Sequence, residues 1–303
     1  MSKIFPSPFA ALLTPRDISG KVDIASVQKN IYWVLDHGIG GVVIGGATAE
    51  YVALEISDRK RLLEAALEVG RGKGQVLAAV GAADIRDSLN LADHAFSQGV
   101  DAVLLPTPHF YPRSDEDLET FYRTAAVSIE GPVMLYNLPV FTTPISTDLA
   151  LRLIESVPNI IGIKDSSGKL DTLKAIKARP ELNAHPILGH DLVLGDALAA
   201  DCIETVISGL AGIMPELIAS IFDAHRKGQT EQRVLLTGWV QEFITEMDRL
   251  PFPVAMKLAA RCRGLFNPQL ALPLSQRQQE VAEEFESWFS KFQPRLEGLN
   301  QSR

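Results

Sequence analysis

The strongest constraint on this chain is a period: short β-branched runs, each followed by apolar residues at helical spacing, recur about every 28 residues. The runs predict strands over residues 9–13, 41–44, 75–80, 102–105, 133–136, 160–164, 186–188 and 205–208. Between them Ile24, Val27, Ile31 and Val34 share one helical face, as do Leu62, Leu63, Ala66 and Val69, and then Ile85, Leu89, Ala92 and Phe96. Ser114 opens a Ser-x-x-Asp capping pattern ahead of Leu118 and Tyr122, and Ser57, Asp84 and Ser146 stand where other helix caps are expected.

Eight strand–helix units suffice to close a barrel, and nearly continuous apolar runs such as residues 41–44 and 103–105 suit parallel strands buried on both faces. After residue 214 the apolar groups around Ile218, Val240, Met256 and Phe285 read as helices with no strand between them. The predicted fold is therefore α/β, a (β/α)8 TIM barrel over residues 1–225 with a C-terminal helical extension over residues 226–303. An open doubly wound sheet is the alternative, but its dinucleotide fingerprint is missing. Residues 38–43 read Gly-Ile-Gly-Gly-Val-Val, with Val43 where the third glycine belongs, and they precede a strand rather than join a strand to a helix.

Composition narrows the function. The 303 residues carry 29 Lys plus Arg against 37 Asp plus Glu, a net charge of −8, with no long basic run, so a nucleic-acid partner is not expected. Cys202 and Cys262 lie far apart with no CxxC, which fits neither a zinc ribbon nor a disulfide scaffold and predicts a cytoplasmic protein. Pro6 and Pro8 interrupt what would have to be an apolar signal region, and Glu204, Pro215 and Glu216 interrupt the apolar stretch 203–218, so neither a leader nor a membrane span is expected. The six histidines show no HxH or HExxH spacing, and a protein-built metal site is not expected.

In a barrel the chemistry sits at the C-terminal ends of the strands. That rule nominates Thr48 and Glu50, His109 and Phe110, Tyr136 and Asn137, Lys164 and Asp165, His190 and Asp191, and Ser208 and Gly209. Lys164 ends the apolar run Ile160-Ile161-Gly162-Ile163, where burial would lower its pKa and free the amine to attack a carbonyl. The competing reading is a strand-end lysine that reaches water or pairs with Asp165. Tyr136 is either a proton carrier or an aromatic plug. The loop 45–50, Gly-Gly-Ala-Thr-Ala-Glu, either holds a carboxylate on its backbone N–H groups and the Thr48 hydroxyl or is merely a tight turn. Ser166-Ser167-Gly168-Lys169 matches the SxxK pattern of acyl-enzymes without its companion motifs and is read as chance.

Taken together, the Gly-x-x-x-x-Glu loop, Leu135-Tyr136-Asn137-Leu138-Pro139 and Gly162-Ile163-Lys164-Asp165-Ser166-Ser167-Gly168 resemble the dihydrodipicolinate synthase and N-acetylneuraminate lyase superfamily of pyruvate-dependent class I aldolases, over roughly residues 9–265. The resemblance implies a (β/α)8 barrel with helical extension, a Schiff base between Lys164 and pyruvate or another 2-oxo acid, Tyr136 as proton shuttle, and a carboxylate site at Thr48. It also implies no metal or organic cofactor, and dimers paired into tetramers. Further matches are residues 189–191, Ser208 and Gly209, and residues 253–257.

Three departures bear on the substrate. Ala47 stands where the family carries a hydroxyl, and Phe110 where the lysine-pathway synthases carry a tyrosine, so two links of their proton relay are absent. Phe141 stands where those synthases hold the aspartate semialdehyde carboxylate with arginine, and a phenyl ring cannot pair with a carboxylate. The expectation is a lyase acting on a 2-oxo acid and an aldehyde, specifically a 2-keto-3-deoxy sugar acid aldolase, because Ile207-Ser208-Gly209-Leu210 and Pro108-His109-Phe110-Tyr111-Pro112 resemble segments of those aldolases more than of the synthases. The alternatives are a 4-hydroxy-tetrahydrodipicolinate synthase, a related dehydratase, and a non-catalytic barrel that binds 2-oxo acids.

Overall fold

The computed structural model describes residues 5, 7–267 and 269–300. Residues 1–4 and Pro6, which carry part of the reading of the N-terminus, lie outside the described residues. Eight parallel strands form a closed barrel in sequence order: β1 (Phe9–Ala11), β2 (Gly41–Ile44), β3 (Gln75–Ala79), β4 (Ala102–Pro106), β5 (Val133–Asn137), β6 (Ile160–Asp165), β7 (His185–Leu188) and β8 (Thr205–Ser208). The pairing of β1 with β8 closes the sheet and excludes the open doubly wound alternative. The helices of the eight units are α1 (Ile24–Asp36), α2 (Ile56–Gly70), α3 (Ile85–Gln98), α4 (Asp115–Ser128), α5 (Thr147–Ser156), α6 (Asp171–Lys177), α7 (Leu194–Ala199) and α8 (Pro215–Arg226). Three more follow without a strand: α9 (Thr230–Met247), α10 (Val254–Cys262) and α11 (Gln276–Asn300).

Strand alternation divides the apolar residues into two cores. Val43 packs inside the barrel with Phe9, Leu77, Leu104, Met134, Ile187 and Ile207, whereas its neighbours Val42 and Ile44 face outward against the helices. Both faces of a strand are therefore apolar, which is why the runs lack a polar alternation. Gly162 is required on β6, because a Cβ there would lie 2.3 Å from the His185 carbonyl oxygen of β7. Three expected caps form: the Ser114 hydroxyl accepts from Asp117 N–H in a capping box, Asp84 accepts from Arg86 N–H, and Ser146 accepts from Leu149 N–H. Ser57 does not cap. Helix α2 begins two residues earlier than such a cap implies, at Ile56, after the extended residue Glu55, so Ser57 lies inside its first turn beside Asp58.

The extension is tied to the barrel by polar groups as well as by apolar packing. Arg263 forms a buried ion pair with Glu216 at the start of α8 and lies over the Trp33 ring of α1. Lys257 of α10 pairs with Glu50 in the loop after β2. Among the described residues no helix is long and apolar enough to cross a membrane.

Candidate active site

At the C-terminal ends of the strands lies a cavity of about 280 Å³. Lys164 and Tyr136 meet in it because they are register partners on β6 and β5. Lys164 is 3% exposed, its Nζ donates to the Tyr136 hydroxyl at 3.0 Å, and burial lowers its pKa to about 7 against a smaller opposing pull from the Asp191 charge. The fully buried Tyr136 phenol is pushed up by burial, while the Ser166 hydroxyl and the Ala47 backbone N–H act to bring it down. One step along the same strands, Asn137 Nδ2 donates to Asp165 Oδ1 at 3.0 Å and Ser167 N–H donates to that oxygen at 2.8 Å. Asp165 is thereby engaged in bracing β5 to β6, and Lys164 turns to Tyr136 instead.

Of the residues singled out as substrate contacts, Thr48, Ala47, Phe141 and Gly209 line the cavity with the lysine and the tyrosine. Ser208 is buried behind it. Its hydroxyl accepts the Ala211 N–H at 3.0 Å and faces the Asp191 carboxyl. Phe110 is not brought into the cavity. Its backbone is left-handed, φ 83°, and the ring swings outward to 86% exposure, edge-on to Tyr111 at 4.9 Å between centroids.

Several residues that complete the site carry weak local signals. Gly189 leaves room for the lysine, since a Cβ there would lie 2.8 Å from Lys164 Cε and 2.2 Å from Ser166 Oγ. Ser166, which stands in the Gly162–Gly168 motif but was given no role of its own, lines the cavity and sits against the Tyr136 phenol. Asp191 also lines it: burial raises its pKa, opposed by the Ser208 hydroxyl and the Leu210 N–H, and its Oδ1 is buried without a hydrogen-bond partner. Tyr51, missed in the sequence, lies 3.4 Å from His109 Nδ1, with its phenol raised to about 12 by burial and by the neighbouring Tyr136. Much of the remaining lining is apolar: Leu138, Val140, Ile207 and Leu210 come from the barrel, and Ile244 and Met247 of α9, Phe252, and Met256 of α10 come from the extension. Among the described residues, the charged groups lining the cavity besides Lys164 are Asp191 and Asp248, with His190 beside them. No group of three or more His, Cys, Asp or Glu comes together among the described residues as a metal site would require.

The model of the dihydrodipicolinate synthetase family matches residues 5–291. The chain is 29% identical to the 4-hydroxy-tetrahydrodipicolinate synthase of Bacillus subtilis (strain 168) over 274 residues, covering 89% of this chain and 93% of the relative. It is 30% identical to the enzyme of the same name from Bacillus velezensis over 265 residues, covering 87% and 91%. Among solved structures, dihydrodipicolinate synthase from Aquifex aeolicus shares the fold with a TM-score of 0.88 at 23% identity, over 95% of this chain and 98% of that one. A lysine and a tyrosine facing each other at the mouth of a closed eight-stranded barrel, and a family match across nearly the whole chain, lead to one assignment: the chain belongs to the dihydrodipicolinate synthetase family, lyases of the class I aldolase type that work through a lysine Schiff base with pyruvate.

Proposed function

We propose that Lys164 is the Schiff-base lysine and that the protein is a 2-keto-3-deoxy sugar acid aldolase. The observation that carries this reading is the cavity's charge: around an amine with a pKa of about 7 stand Asp191, Asp248 and the Phe141 ring, with no arginine among the lining residues. An acceptor bearing a second carboxylate would meet like charge there, whereas a neutral hydroxylated aldehyde would meet acceptors for its hydroxyl groups.

The neutral Lys164 amine attacks C2 of the 2-oxo acid, and loss of water gives an iminium. The substrate carboxylate rests on the backbone and hydroxyl of Ala47 and Thr48. Tyr136, 3.0 Å from the amine, moves protons between the nitrogen and the departing oxygens. As the C3–C4 bond breaks, its electron pair passes into the iminium, the C4 hydroxyl yields its proton, and the aldehyde leaves an enamine. Protonation at C3 and hydrolysis release pyruvate and the free lysine. No cofactor is needed in this sequence. Self-association is supported by the apolar groups exposed beside the mouth, Phe110, Tyr111, Val140 and Phe141.

The names of the Bacillus relatives favour a second reading, condensation of pyruvate with aspartate semialdehyde in a 4-hydroxy-tetrahydrodipicolinate synthase. Borohydride reduction with pyruvate followed by peptide mass mapping tests the lysine: an adduct confined to Lys164 is expected, and an unlabelled folded protein would overturn the proposal. Turnover of keto-deoxy sugar acids is then compared with that of aspartate semialdehyde, and activity with the latter alone would replace the first reading by the second.

A further inference from the structure

Glu50 ends the turn that carries Ala47 and Thr48, and it does so in a left-handed conformation, φ 54° and ψ 45°. A residue with a Cβ stays there when its surroundings hold it. The turn is held on one side by the Thr14 hydroxyl, which donates to the Ala49 carbonyl at 3.0 Å. On the other side the Glu50 carboxylate is ion-paired with Lys257 Nζ. Lys257 is 1% exposed and lies in the first turn of α10, next to Met256 of the cavity wall. Its ammonium also donates to the Gln269 carbonyl at 3.2 Å, in the segment between α10 and α11. One buried cation thus joins the carboxylate-binding loop of the barrel, the helix that walls the cavity, and the link to the last helix.

We infer that the Glu50–Lys257 pair is a positioning device that sets the affinity of the site for the 2-oxo acid. The inference rests on the proposed imine at Lys164, and it concerns groups that touch neither the substrate nor the reacting atoms. Backbone N–H groups hold a carboxylate only when they converge on it, and a displacement of about 1 Å at a positioning element can cost on the order of 100-fold. Lys164, by contrast, is placed by the register of β6 and activated by its own burial. Loss of the pair should therefore weaken 2-oxo acid binding and leave the intrinsic reactivity of the amine almost unchanged.

The test is borohydride trapping of pyruvate on the full chain across a range of pyruvate concentrations, with thermal unfolding recorded for each variant. Lys257→Met and Glu50→Gln are expected to raise the half-saturating pyruvate concentration about tenfold or more, with the saturating trapping rate within about threefold of wild type. Removing one member of a buried pair strands the other charge and can prevent folding. The double variant Glu50→Gln/Lys257→Met strands none and is expected to fold with the same loss of affinity as the weaker-binding single variant. A merely structural pair would lower the unfolding temperature and leave half-saturation where it is in wild type. That outcome, or failure of all three variants to fold, overturns the inference while the proposed function stands. A wild-type protein that traps no pyruvate overturns both.

Discussion

On the β5–β6 side of the mouth, Tyr136 faces Lys164 and Asn137 faces Asp165 because these pairs are opposite one another in the ladder of adjacent strands. Elsewhere around the same cavity Phe141, Phe252, Met247 and Met256 come from loops and from the helical extension, and no strand places them. The proposed reacting groups stand on backbone that the whole barrel fixes, while the groups that would meet the acceptor stand on segments that can change without disturbing the sheet. The contrast separates two kinds of change: those on the ladder should act on the chemistry itself, and those on the loops on which aldehyde is accepted.

The largest effect should come from the ladder. Lys164→Ala removes the proposed nucleophile, and turnover is expected to fall by on the order of 10⁴-fold or more, with no pyruvate adduct by intact mass after borohydride reduction. An adduct of wild-type yield elsewhere in the chain would break the comparison outright. Next is Tyr136→Phe, which keeps the ring that Lys164 Nζ approaches at 4.3 Å from its centroid and removes only the hydroxyl. A fall in kcat of about 10²- to 10³-fold is expected, with a smaller change in KM. A KM effect alone would make the phenol a binding group rather than a proton carrier.

The same contrast explains what could be read in the sequence. Strand runs such as Gly41–Ile44 and Thr205–Ser208 have the predicted bounds because apolar residues facing both cores leave an uninterrupted local signal. Lys164 was legible for the same reason, as a cation at the end of such a run. Phe110 lies outside this chain's own cavity because a left-handed backbone that no neighbouring residue announces turns its ring outward. Ser57 was misplaced by two positions, since a serine in the first turn of a helix looks like its cap while the extended residue before α2 is Glu55. Asp191 stood among the strand-end residues, yet its closeness to Lys164 depends on how β7 and β8 bring their loops together. The cavity wall given by Met247 and Met256, and the Glu50–Lys257 pair, depend on contacts between distant parts of the chain, and no local pattern encodes them.

A smaller effect concerns stability. Lys164 loses its proton near pH 7 in the folded chain and near the ordinary 10.5 when unfolded. Between these values the unfolded state holds more protons, so wild-type stability should rise as pH climbs from about 7 towards 10.5. Below pH 7 both states carry the ammonium, and the folded state bears the full cost of its burial. Lys164→Met removes that cost and should raise stability by several kcal/mol below pH 7, an advantage that fades as pH approaches the unfolded value. Urea denaturation of both proteins at several pH values measures it. Parallel pH dependences would mean that the amine is solvated in the folded state, and the ladder would lose its claim to activate it.

The smallest effect belongs to the loop side. Phe141 is half-exposed at the edge of the cavity, with its ring 6.1 Å from that of Phe252, so replacing it disturbs little of the core. Phe141→Arg would put a guanidinium into a cavity whose charged lining groups besides the lysine are, among the described residues, Asp191 and Asp248, with His190 beside them. A charge-assisted bond to a carboxylate is worth about 1.5 to 3 kcal/mol, and the half-exposed position argues for the lower end. The ratio of kcat/KM for aspartate semialdehyde to that for a neutral aldehyde should therefore rise roughly tenfold, while the pyruvate adduct on Lys164 forms at its wild-type rate. An unchanged ratio would show that acceptor choice is made nearer the strands, at Asp191. A slower adduct would show that the loop also reaches the chemistry, and the division between the two walls would then be one of degree.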